Sequence, residues 1–159
     1  MPFLRAAGGS ATDEFRINQS DVYALVTQAM HLSADLIPSS KSINPYPNEK
    51  PIKTPLITDE MVYKKSLELQ KLLSRMIRSK KTDKKERFIA KENLQVIYTI
   101  TASDSYDVMQ WVLAELFHRH KESKQDPIPL YYPGIKFPKD TLKRLNALEQ
   151  QLKLIQENA

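Results

Sequence analysis

The chain of 159 residues contains no cysteine and only three glycines. The first absence excludes a disulfide framework, a thiolate metal centre and a cysteine nucleophile. It leaves the compartment open, because a chain without thiols is at home in reducing and oxidising surroundings alike. The second absence excludes most of the glycine-rich loops that cradle phosphates. No apolar run approaches the roughly 20 residues that a membrane-spanning helix needs. The start, Met1-Pro2-Phe3-Leu4-Arg5, lacks the apolar stretch of a signal peptide.

What remains is ordinary in bulk composition. Apolar residues make up 41% of the chain and charged residues 27%, enough for one folded domain with a buried core. The charge is unevenly placed. Lys and Arg number 24 against 19 Asp and Glu, and the formal charge is +5. Residues 1–40 carry net −2, residues 41–63 are neutral, residues 92–159 carry net −1, and residues 64–91 carry net +8. The excess therefore sits in one stretch, densest at Arg75, Arg78, Lys80, Lys81, Lys84, Lys85 and Arg87. Such a patch fits phosphates, an anionic surface or an acidic protein face. It equally fits a solvated helix end whose cations offset the helix dipole.

Three segments align without gaps on a tyrosine: Ile17 to Tyr23, Ile57 to Tyr63 and Ile100 to Tyr106. Each has Ile six places before the Tyr and a small polar residue five places before it, and two have Asp two places before it. Each then runs into apolar residues spaced i, i+3, i+4 and i+7, the pattern of an amphipathic helix. The segments read as helix starts, with Ser20, Thr58 and Ser103 as expected caps and acidic side chains at the positive dipole end. They arise from one capping pattern used three times, or from duplication of one helical unit.

Helices are expected over Asp21–Ile37, Asp59–Ser79 and Asp104–Lys121, and a fourth after Pro138 with a Leu142, Leu145, Leu148, Leu152 and Ile155 stripe. A fifth is expected from about Lys84 to Ile97, although Val96 to Ile100 is β-branched and aromatic enough for a strand. The fold class is all-α, a loose bundle of four or five helices. By segment, residues 1–16 form a tail, 17–122 a helical domain with a proline-rich arm at 38–57, 123–138 a second arm, and 139–159 a C-terminal amphipathic helix.

The two arms hold most of the ten prolines and should be extended. Neither has a linker's composition, because both carry large apolar side chains at every second or third position. Tyr46, Ile52, Ile128, Leu130, Tyr131, Tyr132 and Phe137 are the residues expected to bind a partner. The expected function is that of a non-enzymatic structural or adaptor subunit in a larger protein assembly. The alternative is a nucleic-acid or anionic-surface binding protein acting through residues 64–91. No cofactor is expected. A single Glu115-x-x-His118 pair is too little for a di-iron bundle site, which uses that pair twice with two further Glu. No nucleophile elbow, Walker loop or His-Glu-x-x-His motif is present, so no catalytic residue is assigned.

Overall fold

The computed structural model describes residues 16–38, 44–78, 99–121 and 134–157. Four helices carry these residues: α1 (Gln19–Leu36), α2 (Asp59–Arg78), α3 (Ala102–Lys121) and α4 (Pro138–Glu157). Among the described residues there is no strand. The expected helix at Lys84–Ile97 lies outside them. The all-α bundle read from the sequence is the fold observed.

α2 starts at its expected cap, Thr58, whereas α1 and α3 begin earlier than the expected Ser20 and Ser103. Asn18, not Ser20, caps α1: its side chain accepts from the N–H groups of Ser20 (2.9 Å) and Asp21 (3.2 Å). Asp21 answers by accepting from the Asn18 N–H at 2.9 Å, which completes a capping box. Ser20 is thereby free to accept the backbone N–H of Lys136 at 2.8 Å. Thr58 caps α2 through a 3.3 Å bond from the Met61 N–H. At α3 the cap is Thr101, whose N–H donates to Asp104 at 2.8 Å and whose carbonyl accepts the Asp104 N–H. At α4, Phe137 holds the same place through a 2.9 Å bond from its N–H to Asp140. The small polar residue that recurs five places before each tyrosine is thus the helix cap, and the Ile before it lies just outside.

Packing follows a square. α1 packs on α3 and α4, and α2 packs on the same two, so α1/α2 and α3/α4 lie across the diagonals. Three rungs fix the sense of α1 against α4: Lys136 with Ser20, Arg144 with Thr27, and Gln151 with Met30. Both helices therefore run the same way. The start of α2 joins the start of α1 through a 2.8 Å bond from Gln19 to Asp59. The start of α3 joins that of α2, where Ile100 packs on Tyr63, Leu67 and Val108. All four N-termini consequently gather at one pole. The familiar bundle alternates up and down with short loops; this one is parallel.

The long connections now have a reason. A helix of 18 to 20 residues is about 30 Å long at roughly 1.5 Å per residue. The chain leaving its far end must return that distance before the next helix starts. Extended backbone covers about 3.3 Å per residue, so some nine residues are needed. The connections at 37–58, 79–101 and 122–137 all exceed that.

One main core joins all four helices, with Val26, Ala29, Leu69, Leu73, Met109, Val112, Leu116, Leu145, Leu148 and Leu152 fully buried in it. The C-terminal leucine stripe read from the sequence is buried at every position. Trp111 is half-buried against this core. Phe117 falls at core spacing after Leu113 and Leu116 but is 42% exposed, on the flank of α3 that faces a groove.

Candidate docking surface

The described part of the first arm is a strap running back along α1 and α4. Pro45 offers its carbonyl to Gln151 Nε2 at 2.6 Å, and the same amide group reaches the Met30 carbonyl at 3.1 Å. One residue on, the Tyr46 hydroxyl lies 2.9 Å from His31 Nδ1, with the two rings edge to face at 5.7 Å. Four residues after Pro45, Glu49 accepts from Arg144 Nε at 2.6 Å. The strap thus passes from the level of Gln151 to that of Arg144, opposite in sense to α4. Arg144 also donates to Thr27 at 2.8 Å and lies 4.5 Å above the Tyr23 ring.

The residues expected to bind a partner therefore divide. Ile52 is half-buried against the protein's own main core. Tyr46 is 43% exposed despite its bond to His31. Desolvation, with the Asp35 carboxylate second, raises its hydroxyl above the usual tyrosine range, so it stays protonated through neutral pH. Phe137 is 63% exposed. Ile128, Leu130, Tyr131 and Tyr132 lie outside the described residues.

Phe137 has a neighbour that the sequence reading left out of the expected site. Gly134 takes φ +88°, a conformation open to glycine. The chain then alternates, as extended backbone does. Lys136 turns inward: its N–H is held by Ser20 and its ammonium lies 4.8 Å above the Tyr23 ring. Ile135 and Phe137 point out, at 77% and 63% exposure. Leu56, 71% exposed just before α2, stands at the same pole. The sequence signal was the Ile-Lys-Phe alternation directly before a helix start.

Two residues of the basic patch lie on α2. Arg75 is exposed on the last turns of α2, and Arg78 is that helix's final residue. Lys80, Lys81, Lys84, Lys85 and Arg87 lie outside the described residues. Because α2 and α3 are parallel neighbours, Arg75 and Arg78 end at the same pole as Arg119 and Lys121 of α3.

Among the described residues, no three His, Asp or Glu gather in a way that could hold a metal ion. No described helix is long and apolar enough to cross a membrane. Comparison of the chain with protein-family models, with curated proteins and with solved structures finds no match.

Proposed function

We propose that this protein is a non-enzymatic structural or adaptor subunit that docks another protein at the pole where its helices begin. The presentation of Ile135 and Phe137 carries this reading. An isolated exposed leucine needs no explanation, but large apolar side chains held together in solvent mark an interaction site. Here the backbone between them is tied to Ser20 and the intervening lysine to Tyr23. The backbone that carries both side chains is held, so binding loses less ordering entropy than it would from a loose loop. Leu56 adds apolar area at the same pole, beside the start of α2.

The test is Ile135→Ser with Phe137→Ser. Both side chains are mostly exposed, so the variant should melt within a few degrees of the parent. Affinity purification from the native source should lose the partner recovered with the parent. Recovery of that partner in equal yield would refute the assignment.

A second reading has its own support. The parallel packing brings the ends of α2 and α3, with Arg75 and Arg119, to one pole. This favours contact with a polyanion. Retention on heparin should fall steeply with salt and be lost when Lys80, Lys81, Lys84 and Lys85 become Glu. Retention unchanged in that variant excludes the reading.

A further inference from the structure

Where the strap lies beside the outer face of α4 it leaves a crevice of about 340 Å³. Asn48, Lys50 and Ile52 line it from the strap, and Asn146, Gln150 and Lys153 from α4. Its floor is apolar, with Ala147 buried and Ile52 half-buried against the main core. Lys139 and Lys143 continue the α4 row toward the start of that helix. Residues 41–63 are neutral overall and residues 92–159 carry net −1, so neither segment looks basic by itself. The fold sorts their charges. Glu49 is taken by Arg144 at 2.6 Å and Glu149 by Lys65 at 3.0 Å. Asp140 accepts the Phe137 N–H at 2.9 Å. Glu149 also lies 3.7 Å from Lys153, a loose contact that leaves the lysine 57% exposed. Glu157 stands past Lys153, beyond the crevice. Among the described residues nothing pairs with Lys50, Lys139 or Lys143, and the side chains of Asn48, Asn146 and Gln150 have no hydrogen-bond partner.

We propose that this crevice receives an extended acidic segment of a partner protein. Its carboxylates meet Lys50 and Lys153 in the crevice and Lys143 on the row beyond. Lys143 and Lys153 are separated by about 15 Å along α4, at roughly 1.5 Å per residue. An extended chain covers that span in about five residues. The carboxamides decide between an acidic peptide and a nucleic acid. Each offers a donor and an acceptor together, which a peptide backbone can use and a phosphate, having acceptors alone, cannot. This surface is separate from Ile135 and Phe137 and from the basic segment 64–91, and the assignment stands without either.

The probe is an end-blocked peptide of about eight residues with two Asp about five residues apart and Ala or Ser elsewhere. Its counterpart carries Asn at both Asp positions. Fluorescence anisotropy against the full chain at low salt should show the Asp peptide binding about fivefold more tightly, the effect of two exposed ion pairs. Lys50→Gln with Lys153→Gln should remove most of that preference. Asn146→Ala with Gln150→Ala should weaken both peptides alike, by about fivefold or more. Both variants should melt within a few degrees of the parent, because none of the four side chains is buried. Equal affinity for the two peptides, no measurable binding of either, or affinity unchanged in either variant overturns the proposal. So does loss of binding when Lys80, Lys81, Lys84 and Lys85 become Glu, which gives the peptide to the basic segment. Tighter binding of a trinucleotide, which carries the same two charges, gives the surface to nucleic acid and overturns the proposal too.

Discussion

Arg144→Ala should lower the free energy of unfolding by about 3 kcal/mol in urea denaturation. This side chain makes three kinds of contact at once. It pairs with Glu49 on the strap at 2.6 Å, donates to Thr27 on α1 at 2.8 Å, and stacks over Tyr23 at 4.5 Å. The ion pair is about three-quarters buried on both sides, with 24% and 27% exposure, so water screens it less than a surface pair. A charge-assisted hydrogen bond contributes roughly 1.5–3 kcal/mol and a cation–π contact about 0.5–1. Arg144→Lys should recover part of the loss, because ammonium keeps the charge but not the planar fork. The strap should also loosen, so trypsin should cut faster after the exposed Lys53. A loss below about 1 kcal/mol with unchanged cleavage would show that the strap is held by its apolar contacts alone.

The second large effect belongs to the core. Leu148 is fully buried in α4, within the cluster that all four helices share. Leu148→Ala should cost about 2–5 kcal/mol in the same measurement, from lost transfer free energy and the cavity left behind. Phe117→Ala removes a larger side chain and yet should cost less, because nearly half of Phe117 already meets water. The pair of measurements separates the bundle's interior from its groove. Equal costs would place Phe117 in the core, as its spacing in the sequence implies.

How much of this was legible in the sequence depends on the range of the interaction. Apolar periodicity is local, and it located all four described helices and the buried leucine stripe of α4. The repeat before each tyrosine is legible too, and its polar residue reads as the cap at Thr58, while at the other two copies Ser20 and Ser103 look like better caps than Asn18 and Thr101. Only the bonds of Asn18 and Thr101 reveal it as the cap itself. Ser20 looked like a cap and instead accepts a bond from residue 136, a partner 116 positions away. No local pattern encodes such a contact. The arms were legible as extended and apolar, yet their destination was not. Glu49 reads as one charge among many until Arg144 is placed beside it. Phe137 stood out in the sequence because of its size, whereas Ile135 became notable once Lys136 was seen to turn inward. The groove needs α1 and α3 side by side, and their proximity comes from topology rather than periodicity.

The shared direction of the four helices bears on how the molecule assembles itself. In an up-and-down bundle, consecutive helices zip together as hairpins, and short loops make the first encounters fast. Here α1 and α2, and likewise α3 and α4, lie across the diagonals, and α2 and α3, though neighbours, run parallel, so no consecutive pair can form such a hairpin. The first productive encounters instead close loops of 16 residues or more plus the helices beside them, and each closure loses chain entropy before any core contact repays it. Local helix formation and final packing are thereby separated in time, and the nucleus must be built from segments far apart along the chain.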